Sequence, residues 1–247
     1  MQELLQKIAS LKAEIDTCGA LDNALIKNLD EWYTVELTYT SNALEGNTLT
    51  RQETALVIEK DFSIEGKKLS ELLETKNHAE AVGFIREFSR NKKDHKVTLL
   101  WILELHSHIL QKIDDTNAGR LRTVPVRVAG STSVFPNPAK VPELMNEFIN
   151  WLSSAVSAPT NAVEAHYNLV SIHPFIDGNG RVARLLMNTL LMQDGFPPLI
   201  IPKETRRAYV VSLEKGQTTG VNDDYYRFMY ERLIASMEEY LKMSKIE

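Results

Sequence analysis

The twelve residues His173-Pro-Phe-Ile-Asp-Gly-Asn-Gly-Arg-Val-Ala-Arg184 bring an imidazole, a carboxylate, two glycines and two arginines into one short stretch. His173, with an ordinary pKa near 6.5, is suited to general-base work at neutral pH, although a histidine beside proline is more often structural. Asp177 can cap the helix that follows or hold Mg²⁺ against phosphate oxygens, since that ion favours one or two carboxylates plus substrate. Gly178 and Gly180 permit positive φ and close approach of a phosphate to the backbone. Arg181 and Arg184 fall three apart in a first helical turn, where the dipole disfavours each cation by about 0.3 to 1 kcal/mol. A polyanion between them and the dipole gives that placement a reason; solvated arginines, or pairs with acids such as Glu164, are the plain alternative.

Three other sites fit this stretch badly. Gly178 to Ala183 matches G-x-G-x-x-A, but no alternation of strand and helix surrounds it, as a dinucleotide site requires. A calcium loop starting at Asp177 has Val182 sixth and Asn188 twelfth, where glycine and glutamate are needed. A P-loop, G-x-x-x-x-G-K-[ST], does not occur.

The elements that position this stretch read as helices. Leu4, Leu5, Ile8, Leu11 and Ile15 give helical spacing over 2–16, and a second pattern runs from about Asp22 to Ala43, stopped by Gly46 and Asn47. Thr50 and Glu53 form a capping box for the next helix, and another runs from Ser70 to about Arg90, broken by the polar run 92–95. Val97 to Leu110 is helical, with His106 and His108 on different faces. Residues 123–134 alternate Val124, Val126 and Val128 with Pro125 and Arg127 before a turn at 130–132, which predicts a β-hairpin with an edge strand. Helices then begin at Pro142, at an Asn161/Glu164 cap, at Arg181, near Glu204 and at Asp223, the last reaching Lys242.

The 247 residues are 43% hydrophobic and 25% charged, as in an ordinary globular protein, and neither repeat nor linker interrupts them. A net charge of −5 gives no general attraction to nucleic acid or an anionic membrane, so anion binding must be local. Cys18, the only cysteine, excludes an intrachain disulfide. With no signal pattern and no apolar run of membrane-spanning length, the expectation is a cytoplasmic protein with neither nucleic acid nor membrane as partner.

Residues 173–184 match H-x-F-x-[DE]-G-N-G-R-x-x-R, the signature of the Fic family, at every fixed position. Ser41-Asn-Ala-Leu-Glu45-Gly46 resembles the inhibitory motif [ST]-x-x-x-E-[GN] of the class with an N-terminal inhibitory helix. The resemblance implies an all-α Fic fold, a helical bundle with a small β-hairpin flap. It divides the chain into an N-terminal helical region, 1–90, with the inhibitory helix at about 23–45, a catalytic core, 91–217, and a C-terminal helix, 218–247, packed as one unit. It also implies an autoinhibited protein adenylyltransferase that moves AMP from ATP to a target hydroxyl with release of pyrophosphate.

By the same resemblance His173 is the base, Asp177 holds Mg²⁺, Gly178, Asn179, Gly180 and Arg181 serve the phosphates, and Arg184 grips the γ-phosphate. Tyr209 and Gln217 fall where relatives contact adenine, Gln217 standing in place of an asparagine. Ser41 and Glu45 are inhibitory, Glu45 withholding Arg184 from ATP, and Val128, Ala129, Gly130 and Ser131 form the flap on which a target segment docks by strand addition. The target can be the protein itself, and many members are dimers, so a homodimer is an expected arrangement. Removal of AMP, with Glu45 aligning a water, or use of another nucleotide donor are the alternatives within the enzyme class. A nucleotide- or peptide-binding module without turnover is the alternative outside it.

Overall fold

A computed structural model describes residues 1–18, 22–60, 63–90, 96–128, 131–154 and 159–244. The described elements, in order, are helices α1 (Gln2–Thr17), α2 (Asn23–Leu44), α3 (Arg51–Lys60), α4 (Leu69–Arg90), α5 (Leu99–Leu110), α6 (Val141–Ser154), α7 (Thr160–Ile172), α8 (Asn179–Gln193), α9 (Arg206–Thr219) and α10 (Asp223–Ser244). Single 3₁₀ turns, Pro138–Lys140 and Lys203–Thr205, lead into α6 and α9. The all-α class expected from the sequence is the one observed.

The core is arranged around α8. Val182, Ala183, Leu185, Leu186, Met187 and Leu191 are all buried, so apolar residues occupy most of its circumference, as in a helix enclosed by others. Leu185 and Leu186 pack with Ile85 of α4, Ile102 and Leu105 of α5, Met145 of α6 and Leu169 of α7. Met187 and Leu191 join a second cluster with Ile8 and Leu11 of α1, Leu213 of α9 and Met229, Leu233 and Met237 of α10. Both clusters draw on residues from either side of the boundary near residue 90.

Local chemistry explains most helix ends. The capping box forms: Thr50 N donates to Glu53 Oε2 at 2.7 Å, and Glu53 N to Thr50 Oγ1 at 3.2 Å. Four starts differ from expectation: α5 begins at Leu99, not Val97, and α8 at Asn179, not Arg181, which puts Arg184 in its second turn. α7 begins at Thr160 with Pro159 in the cap position, not at an Asn161 cap. α9 begins at Arg206, because the 3₁₀ turn takes up Glu204. The polar break at 92–95 lies outside the described residues.

The expected hairpin is corrected. The described residues of 123–134 carry no strand: Val124 O accepts from the Arg122 side chain, Ser131 N donates to Val128 O at 3.1 Å, and Thr132 and Ser133 bond Glu214 and Gln217 of α9. Pro125 lacks an N–H, and Glu214 of α9 accepts from Thr132 N at 2.6 Å, a bond that a ladder would otherwise use. Ala129 and Gly130 lie outside the described residues.

Four histidines are held neutral. Burial drives His78 well below its usual value, His106 and His173 to about 4, and His166 to about 3. Between these values and about 6.5 the unfolded chain binds protons that the folded chain refuses, so stability falls as pH falls. Each such histidine contributes up to about 1.4 kcal/mol per pH unit below 6.5. Urea unfolding at pH 7.5 and pH 5 should therefore show a lower free energy at pH 5, by more than one histidine can supply; equal values would contradict this.

Candidate active site

The site starts where α7 stops. His173 takes a left-handed backbone conformation, φ 50° and ψ 59°, that turns the chain out of the helix. Its Nδ1 lies 3.2 Å from Val170 O, which can only accept, so Nδ1 carries the proton and the Nε2 lone pair is left to act. The ring stacks on Phe135 at 3.9 Å, so the extended segment covers it. Arg122 fixes the backbone: its Nε donates to His173 O at 2.7 Å, its Nη2 to Pro136 O at 2.7 Å, and its own N–H to Pro174 O at 2.8 Å.

The loop after His173 is closed by two side chains. Asn179 accepts from Phe175 N and donates to Phe175 O, each at 2.9 Å. The resemblance assigns Asn179 to developing charge on the phosphates; in this structure its carboxamide clasps the loop. His106 of α5 stacks on Phe175 at 3.7 Å, accepts from Gly119 N at Nδ1 (3.0 Å) and donates from Nε2 to Asp177 O (3.0 Å). Gly178, at φ 79°, lets the chain enter α8 against that ring, which a Cβ would press at 3.3 Å. Asp177 is not the cap of α8, which is Gly178. Its Oδ1 accepts from Gly178 N at 2.6 Å and its Oδ2 from Arg181 at 3.2 Å, with the side chain 67% exposed.

Neither arginine is a solvated surface group. Arg181 is buried, and its Nε has no hydrogen-bond partner among the described residues. Arg184 is buried too and held by α2: Nε donates to Ser41 Oγ at 3.0 Å, and Nη2 to Ser41 O at 3.1 Å and Glu45 Oε1 at 2.7 Å. The Glu45 carboxylate lies directly over Gly180, where a Cβ would run into it. The pair is asymmetric in exposure, Arg184 at 7% and Glu45 at 42%, so it is not the fully buried ion pair whose rupture costs about 3 to 5 kcal/mol.

Glu45, His173, Gly180 and Arg184 line one cleft of about 380 Å³, with Val128, Ser131 and Phe135 on one side and Arg206, Tyr209, Val210, Leu213, Glu214 and Gln217 on the other. Tyr209 and Gln217, the expected adenine contacts, line this cleft and bond within the protein. The Tyr209 hydroxyl turns inward to His166 at 2.8 Å, and Gln217 accepts from Ser133 Oγ at 2.9 Å and reaches Ser171 Oγ at 3.4 Å. Glu214 accepts from Ser131 Oγ and Thr132 Oγ1, tying the extended segment to α9.

His106, Arg122, His166, Arg206 and Glu214 were not marked by sequence. His106 stood out only as a histidine in an apolar helix, and Arg122, caught by three carbonyls, had no sequence signal at all. Arg206 donates to Leu44 O at 2.7 Å, at the end of α2.

Residues 96–191 match the model of the Fic/DOC family. Protein adenylyltransferase fic-1 of Caenorhabditis elegans is 33% identical over 99% of this chain, and protein adenylyltransferase Fic of Drosophila willistoni is 37% identical over 96%. The chain spans about half the length of these curated relatives, 48% in each case. Among solved structures, Fic-1 (residues 134–508) of C. elegans superposes with a TM-score of 0.87 at 30% identity, covering 99% of this chain and 72% of that one. A Fic domain containing signaling protein from Bacteroides thetaiotaomicron gives 0.85 at 26%, covering 98% and 97%. With its helices and its signature loop matched across nearly the whole chain, this protein belongs to the Fic/DOC family.

Proposed function

We propose that this chain is a self-inhibited protein adenylyltransferase, transferring AMP from ATP to a hydroxyl of a target protein. The observation that carries the reading is the Glu45 carboxylate bonded to Arg184 over Gly180, in the cleft that also presents His173. The target oxygen bonds to the α-phosphorus as its proton passes to His173 Nε2, and the bond to the β-phosphate breaks to release pyrophosphate. The unpartnered Arg181 Nε and the opening amides of α8, which have no intrahelical acceptor, suit a phosphate chain. Arg184, once free of Glu45, takes the γ-phosphate. Asp177, exposed and with lone pairs to spare, fits a single-carboxylate Mg²⁺ ligand; bound there, the ion neutralises phosphate charge. No cluster of three or more metal-ligating side chains occurs among the described residues, which suits an ion arriving with its nucleotide.

The helix carrying Glu45, α2, acts as the inhibitory element, and the segment around Val128 and Ser131 receives the target. Tyr209 and Gln217 serve this cleft from beneath, as supports of Arg184 and of the extended segment. No helix among the described residues is long and apolar enough to cross a membrane.

Intact mass after incubation with Mg²⁺ and ATP should show a gain of one AMP in Glu45→Gly and none in the wild type, the protein serving as its own target. His173→Ala added to Glu45→Gly should abolish the gain. A gain of one phosphate would instead mark a different donor chemistry, and loss of AMP from a pre-modified target would favour removal. Because burial holds His173 near 4, its base form predominates at neutral pH and is lost only as pH falls toward 4. The kcat/KM of Glu45→Gly should be flat from about pH 6 to 8; an acid limb centred near 6.5 would contradict this.

A further inference from the structure

Behind Arg184 lies a buried hydrogen-bond chain that the catalytic reading does not use. His166 of α7, 0% exposed, has Nε2 at 2.8 Å from Tyr209 Oη and Nδ1 at 2.7 Å from Tyr225 Oη. Tyr225 of α10, also 0% exposed, donates to Val163 O at 3.0 Å. At the other end Tyr209 lines the same cleft as Arg184, and its hydroxyl and the guanidinium act on each other electrostatically.

Donor and acceptor chemistry gives the chain a single direction, set at the Val163 end. Val163 O only accepts, so the Tyr225 proton is committed to it, and His166 Nδ1 must donate to the Tyr225 oxygen. A neutral imidazole protonated at Nδ1 must accept at Nε2, so Tyr209 donates to it. With its proton committed to His166, Tyr209 can turn only lone pairs toward the Arg184 cation. Burial keeps all three groups in the required forms: His166 falls to about 3, Tyr209 rises to about 12, and Tyr225 rises well above its usual value.

We infer that His166 and Tyr225 are positioning residues, acting through Tyr209 to hold the Arg184 guanidinium where it can exchange Glu45 for a phosphate. α2 supplies the inhibitory partners of Arg184, Ser41 and Glu45. The chain supplies a partner that remains when α2 lets go, so the arginine stays ordered for its anion. This rests on the proposed role of Arg184 toward the γ-phosphate, but its geometric part is separable.

The first test is ¹⁵N NMR of imidazole in the wild-type protein without nucleotide. His166 should be a neutral Nδ1–H tautomer between pH 5 and 8, and Tyr225→Phe should shift the Arg184 Nε–H resonance. An Nε2–H tautomer, or an unmoved Arg184 signal, overturns the inference whatever the protein binds. The second test is calorimetric affinity for ATP and ADP in a Glu45→Gly background. Tyr225→Phe and His166→Leu should cut the preference for ATP over ADP by roughly fivefold to tenfold, leaving ADP affinity nearly unchanged. His166→Gln, which can donate at one end and accept at the other, should recover part of the preference. Equal losses for both nucleotides would mean a merely structural role and overturn the positioning claim. Absence of any ATP preference in Glu45→Gly itself would instead count against the γ-phosphate role of Arg184, leaving the NMR result to decide the chain.

Discussion

Arg184 lies in the second turn of α8, and Glu45 caps the end of α2, where the dipole disfavours an acid until a cation faces it. Placed face to face they relieve each other. The arginine also donates to Ser41 O, one of the last carbonyls of α2, while Arg206 donates to Leu44 O. The end of α2 is thus held by two cations from the catalytic side of the molecule. Anything that competes for Arg184 weakens the seat of α2, and anything that draws α2 away leaves Arg184 with an unsatisfied charge that a phosphate matches. In the proposed function, inhibition and nucleotide binding are opposed because they compete for the same donors.

The rest of the fold keeps this pair in place with polar pins set in an apolar core. His78 of α4 meets Thr38 of α2 at 3.1 Å, and Asn42 reaches Glu74 O at 3.3 Å. His106 anchors the signature loop from α5, and His166 links α7, α9 and α10. Each ring is neutral because burial penalises its charged form, and a neutral imidazole offers one donor and one acceptor. That pairing gives such a pin a direction as well as a position, which apolar packing alone cannot supply.

The partial exposure of Glu45 suits a switch. A pair closed from water on both sides would leave a costly buried charge when opened, whereas a carboxylate 42% exposed can return to water. Glu214 behaves alike on the opposite wall, holding Ser131 and Thr132 from an accessible position.

Residues 173–184 were legible in the sequence because glycines, a turn and a helix start are local properties, set by backbone stereochemistry within a few positions. The helices were legible for the same reason, their apolar spacing reflecting a single buried face. Glu45 was legible through its motif, yet its partner lies 139 residues away, and only packing brings α2 and α8 together. The hairpin expectation failed because alternation describes which faces a segment has, not which groups take its hydrogen bonds; Arg122 and α9 take several of them. Asn179 and Tyr209 turned inward for a similar reason: a polar side chain in a closing core goes to the nearest unpaired donor or acceptor, here Phe175 and His166. Sequence alone therefore determined the local conformations and the inventory of reactive groups, while tertiary structure decided their partners, because hydrogen-bond and ion-pair partners depend on distances that only the packed helices create.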